Sequence, residues 1–216
     1  MASTALHLGA GQGARAVCVL VHGRGQSPEE MQSHILARLE VPGVGFVLPR
    51  APTGVWYAAK AVNPLTVETR ASLTAALDHL AADIAAARAT YPGLPLLLAG
   101  FSQGACLSLE YAFAGLPAPQ ALVALTGCRV GVRGDVRPQA LPPLLPVYLT
   151  GSDADPWIPL TAFSETALEL GQARVKLRAD LFPDRKHEVS DSEIAMLAKM
   201  LADLASGTNP QMAAPR

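Results

Sequence analysis

Short apolar runs rich in Val and Leu alternate along this chain with longer segments whose apolar residues recur every three or four positions. The runs at 16–21, 44–48, 95–99, 121–126, 146–150 and 174–182 read as strands. Most are apolar throughout, as expected of strands covered on both faces in a parallel sheet. Helices are expected over 28–40, 69–90, 103–114, 160–171 and 190–205. The second has the clearest stripe, with Leu73, Leu77, Leu80, Ile84 and Ala87 on one side. Such alternation predicts an α/β fold, a mostly parallel central sheet flanked by helices on both faces and joined by right-handed crossovers. In such sheets ligands bind beyond the carboxyl ends of the strands, so chemistry is sought just after each apolar run.

The length of 216 residues suits one domain, expected over 1–206, with 207–216 (GTNPQMAAPR) as a frayed tail. Hydrophobic residues make up 50% and charged residues 16%, which excludes a disordered chain. A formal net charge of −1 offers no footprint for nucleic acid or an anionic membrane. Cys18, Cys106 and Cys128 are odd in number and set among apolar residues, the pattern of buried thiols in a reducing compartment. The N-terminus lacks a basic patch followed by an apolar run, so a cytoplasmic location is expected. The uncharged stretch after Arg88 is broken by Pro92, Gly93, Pro95, Gly100 and Gly104, which suits a strand and turn and not a membrane span.

Gly100-Phe101-Ser102-Gln103-Gly104 follows the third strand and opens a helix. A sharp strand–turn–helix lifts a serine oxygen above the sheet, and the helix N-terminus favours negative charge developing there. The plainer reading is a glycine-bounded turn with a solvated serine. A base is then required, and among five histidines His187 alone lies between the last strand and the last helix. An acid must orient it. Asp153 and Asp155 both follow the strand at 146–150, and one of them is expected merely to shape the turn. The order Ser, Asp, His, each after its own strand, is that of the α/β-hydrolases. The first strand exits into His22-Gly23-Arg24-Gly25, where two glycines let the backbone approach a ligand. The amides of Arg24 and Gln103 are therefore candidates for an oxyanion hole, with His22 structural. Trp157 and Ile158 either line the mouth of the site or cap the sheet.

These segments, 21–25 (VHGRG), 49–52 with Trp56-Tyr57, 100–105 (GFSQGA) and 151–159 (GSDADPWIP), resemble the phospholipase/carboxylesterase branch of the α/β-hydrolases, from about residue 14 to 205. The resemblance implies a Ser102–His187–Asp155 triad, preferring Asp155 over Asp153 as the acid. It implies hydrolysis of carboxylic esters of small or single-chain acyl groups, without a large cap domain, metal or cofactor. It places Trp56 and Tyr57 on a loop bordering the pocket and allows a homodimer. Lysophospholipase and acyl-protein thioesterase activities share that machinery. A scaffold that binds small molecules without turnover is the reading from another class. Two departures stand out. Arg24 replaces a bulky apolar residue, and Asp184-Arg185-Lys186 replaces the usual glycine before the histidine. A cation approaching the ring of His187 would disfavour imidazolium and carry activity to lower pH.

Two further signals carry no chemistry. Gly9-Ala10-Gly11-Gln12-Gly13-Ala14 matches a dinucleotide fingerprint but precedes a strand where that fingerprint must open a helix. Cys106, one turn beyond Ser102, is expected in the core.

Overall fold

The computed structural model describes residues 5–213. Seven strands form one sheet in the order β1-β3-β2-β4-β5-β6-β7. They are β1 (Leu6–Gly9), β2 (Ala16–Val21), β3 (Val44–Leu48), β4 (Leu96–Phe101), β5 (Ala121–Leu125), β6 (Pro146–Ser152) and β7 (Lys176–Phe182). Only β1 runs antiparallel, pairing Leu6 with Leu48 at one edge; the remaining pairs are parallel. Strands β2 to β6 are buried at every position, which is why their sequences are apolar without alternation.

Five α-helices cover the two faces: α1 (Pro28–His34), α2 (Val67–Thr90), α3 (Gln103–Phe113), α4 (Leu160–Gln172) and α5 (Asp191–Ala205). Alternate residues of β2 point to opposite sides. Val17, Val19 and Val21 join Leu80 and Ile84 of α2, Leu107 of α3 and Leu170 of α4 in one core. Ala16, Cys18 and Leu20 join Met31 of α1 and Leu197, Met200 and Leu201 of α5 in the other. Each fully buried Leu or Ile contributes roughly 1.5–3 kcal/mol, so both layers are held mainly by apolar burial. Helix α5 starts on a capping box, with Ser190 and Glu193 each satisfying the other's backbone N–H.

The predicted fold class is the observed one, with local corrections. Strand β1 was not expected: four residues alternating between exposed and half-buried carry little apolar signal. The glycine fingerprint spans its end and a 3₁₀ turn at Gly11–Gly13, with no α-helix behind it. The helix expected over 28–40 ends at His34 and continues as a 3₁₀ turn, Leu36–Arg38. Thr126, expected in β5, lies beyond it with φ 55°, and Arg174, expected in β7, has φ 58°. Both left-handed residues break the extended pattern.

The expected frayed tail is pinned over its described part. Gln211 N–H donates to Asp203, Arg178 donates to the Met212 carbonyl, and Pro210 is buried. Residues 214–216 lie outside the described residues. The uncharged stretch near residue 100 is a strand, an elbow and a helix, and no described helix is long and apolar enough to cross a membrane.

Candidate active site

At the carboxyl end of β4, Ser102 takes φ 54° and ψ −120° before α3 begins at Gln103. The turn can be this tight only because its flanks lack side chains. A Cβ on Gly104 would lie 2.1 Å from the Val21 carbonyl oxygen, and one on Gly100 would lie 2.3 Å from the Gly104 carbonyl oxygen. Ser102 N–H donates to the Leu125 carbonyl of the neighbouring strand at 3.0 Å, fixing the elbow to the sheet. The result is a half-exposed hydroxyl standing over the strand ends.

His187 Nε2 lies 2.8 Å from Ser102 Oγ, and its Nδ1 lies 2.7 Å from Asp155 Oδ2. A carboxylate can only accept here, so Nδ1 carries the proton and the Nε2 lone pair faces the serine hydroxyl. The other Asp155 oxygen accepts the amides of Trp157 at 2.7 Å and Ile158 at 3.0 Å. Burial pushes the Asp155 carboxyl upward, but the His187 bond and the two amides outweigh it and hold the group below its ordinary value. Asp153 does something else: its carboxylate accepts the Asp184 amide at 2.8 Å, tying the β6 loop to the β7 loop.

The segment carrying His187 is held from behind. Arg185 is buried and donates to Glu193, to the Glu188 carbonyl at 2.6 Å and to Thr126 Oγ1 at 3.1 Å. Ser152 Oγ donates to the Arg185 carbonyl, so the chain is gripped on both sides of the histidine. Glu193 is fully buried, and Arg185 also lies over Phe182, 4.7 Å from its ring centroid. Arg185 is therefore a paired structural cation, not a lone positive charge bearing on the ring, which removes the geometry on which its expected pH effect depended. Lys186 is exposed. The sequence offered no sign of this clasp, because Thr126 and Ser152 are remote in the chain and Glu193, eight residues on, lies in another element, the first turn of α5. Ser102, Thr126 and Asp184 all have positive φ, so backbone strain gathers around these loops.

Neither the Arg24 nor the Gln103 amide has a hydrogen-bond partner among the described residues. Gly23 brings its backbone against the serine; a Cβ there would sit 3.2 Å from Ser102 Cβ. His22 is buried and accepts the Ala51 amide at Nε2, while Nδ1 donates to the Gly23 carbonyl. Burial lowers its pKa further, so it serves as a neutral strut. Gln103 binds the next loop on both sides, accepting the Trp56 amide at 3.1 Å and donating to the Tyr57 carbonyl at 2.7 Å.

Two hollows meet at His187. One, of about 250 Å³, is lined by Arg24, Tyr57, Ser102, Gln103, Trp157 and Ile158 among others, with Cys106 in its floor. The second, of about 440 Å³, lies against Met31, Phe101, Glu188 and Val189. Of the expected pocket residues, Tyr57, Trp157 and Ile158 line the smaller hollow. Trp56 does not: its indole packs on His22 at 4.9 Å between centroids and donates to the His22 carbonyl at 2.9 Å. A large flat ring beside a buried imidazole is better satisfied there than at a rim. Cys106 is both core and floor, accepting the Cys128 amide at its sulfur.

No curated relative matches the chain by sequence. Among solved structures, a phospholipase/carboxylesterase from Dyadobacter fermentans superposes with a TM-score of 0.81 at 25% identity, covering 93% of this chain and 96% of that one. Esterase PE8 gives 0.78 at 25% identity, covering 94% and 100%. Acyl-protein thioesterase 2 of Zea mays gives 0.72 at 19% identity, covering 94% and 100%, and shares the fold. The family profile described as Phospholipase/Carboxylesterase matches residues 9–205, and the chain belongs to that family of α/β-hydrolases.

Proposed function

We propose that this protein is a serine hydrolase that cleaves carboxylic esters of small acyl groups through an acyl-enzyme. The observation that carries the reading is the unbroken hydrogen-bond chain from Ser102 through His187 to Asp155. As Ser102 Oγ attacks the ester carbonyl, its proton passes to His187 Nε2. Asp155 steadies the imidazolium and keeps the ring in its reactive tautomer. The carbonyl oxygen, now an anion, is received by the amides of Arg24 and Gln103; losing one such donor costs roughly 2.7–4 kcal/mol. His187 returns the proton to the departing alcohol, then takes one from the water that releases the acid.

The hollow that Ser102 lines, at about 250 Å³, has room for a short acyl group, and the hollow of about 440 Å³ adjoins it at His187. Membership of the family and the likeness to esterase PE8 support the same reaction class. Intact mass after fluorophosphonate treatment tests it. One adduct is expected on the wild type and none on Ser102→Ala, whose kcat on p-nitrophenyl butyrate falls by about 10³-fold or more. Labelling that survives Ser102→Ala would refute the assignment. A panel of p-nitrophenyl esters of rising chain length, run beside a thioester, then separates carboxylesterase from thioesterase and lysophospholipase.

A further inference from the structure

The hollow beside Ser102 carries a charge imbalance that the triad does not use. Among the described residues Arg24 and Lys60 line it and no carboxylate does, the buried Asp155 standing behind His187. The whole chain has a formal charge of −1, so the imbalance is local. Several buried or half-buried cations elsewhere meet acids: Arg129 sits on Glu110, Arg178 on Asp180 and Arg185 on Glu193, while Arg88, like Arg24, binds carbonyls. Arg24 instead donates to two backbone carbonyls, Tyr57 at 2.9 Å and Ala59 at 2.5 Å. Carbonyls hold a guanidinium in place without cancelling its charge. Lys60 is exposed, with its Nζ 5.8 Å from the Trp157 ring centroid on the same rim. A cation already fixed by the loop loses little side-chain freedom when an anion binds.

We infer that the site selects short esters bearing a second, free carboxylate, bound by Arg24 and Lys60 while Ser102 attacks the ester carbonyl. The inference rests on the hydrolase reading above. The bond changes are those of ordinary ester cleavage: water is consumed, one acid and one alcohol are released, and the second carboxylate is untouched. What the charge adds is attraction and orientation at the rim of a small hollow, where both cations are exposed and their pull is open to screening by salt.

Two pairs of substrates test this, one for each part of the ester. p-Nitrophenyl hemiglutarate is compared with p-nitrophenyl valerate, and the acetate of para-hydroxybenzoate with phenyl acetate. Each kcat/KM is divided by the uncatalysed alkaline rate of the same ester, so intrinsic reactivity cancels. In at least one pair the charged ester is expected to lead by about tenfold at low ionic strength. That lead should shrink in Lys60→Gln and in Arg24→Gln, and as salt rises from about 20 mM to about 500 mM, where the screening length is only a few ångströms. Using the ratio removes any general loss caused by the substitutions. Ratios near or below one in the wild type, unmoved by either variant or by salt, would overturn the inference and leave the hydrolase reading intact. If none of the four esters is turned over, the hydrolase reading fails and this inference with it.

Discussion

Ser102 stands on a turn whose close neighbours are backbone, whereas His187 stands on a loop gripped by side chains. Around the serine, the approach of Gly104 to Val21 leaves no room for a Cβ, and the elbow's shape follows from excluded volume. Around the histidine, Arg185, Thr126, Ser152 and Glu193 form a buried polar clasp. The first arrangement is rigid because atoms cannot overlap, and no change of protonation or partner releases it. The second depends on every polar group keeping its mate in a low-dielectric setting, where losing one strands another. The two halves of the site should therefore fail differently.

Several substitutions sharpen or break that contrast. Asp155→Asn has the largest expected effect, a fall in kcat on the order of 10⁴-fold with little change in KM, because an amide stabilises the wrong imidazole tautomer. Asp153→Asn should cost far less, since that residue only ties two loops; equal losses in steady-state kinetics would reopen the choice of acid. Next, Arg185→Met should lower stability by about 3–5 kcal/mol in urea unfolding, because Glu193 is left as an unpaired buried charge. Combining it with Glu193→Leu should restore most of that stability while kcat stays depressed, since only the long Thr126 hydroxyl contact, at 3.4 Å, then holds the Glu188 carbonyl. Full recovery of kcat in the double variant would show that the clasp does not position His187.

Gly104→Ala should cost about 3 kcal/mol, read in the same urea assay, and no partner substitution should rescue it, because its clash is with the Val21 carbonyl. The smallest effect is acid titration of Asp155. Its folded pKa lies below the unfolded value of about 3.9, so the ionised carboxylate stabilises the fold fully above that range. The contribution fades as pH falls through the lower folded value. The gap in Tm between wild type and Asp155→Asn should accordingly narrow below about pH 4; a constant gap would show that ionisation is not its source.

The contrast also explains what the sequence makes legible. An elbow is a local object: strand, glycines, serine and helix lie within a dozen residues, and Gly100 to Gly104 declare it. The stripe of α2 and the unbroken apolar runs of β2 to β6 are legible for the same reason, because burial is recorded residue by residue. The clasp is not local. Arg185 reads as a charge beside a histidine until Glu193 and Thr126 are brought to it by α5 and β5. Local sequence does not separate Asp155 from Asp153; the family resemblance prefers Asp155, and in the fold Asp155 faces His187 while Asp153 accepts the Asp184 amide. Trp56 is placed at the pocket by the resemblance alone, and its packing on His22 puts the indole in the core while its neighbour Tyr57 lines the hollow. Strand β1 was too short and too exposed to declare itself.

One residue is asked to serve two masters. In the proposed reaction the backbone of Arg24 offers a hydrogen to the reacting centre, while its guanidinium is moored to the loop at Tyr57 and Ala59. Any exchange of that side chain made to admit a different substrate also cuts the mooring and shifts the amide on which turnover depends. Breadth and speed are thus coupled at position 24. An engineer wishing to change one without the other would do better to work from the opposite wall, at Trp157 or Ile158.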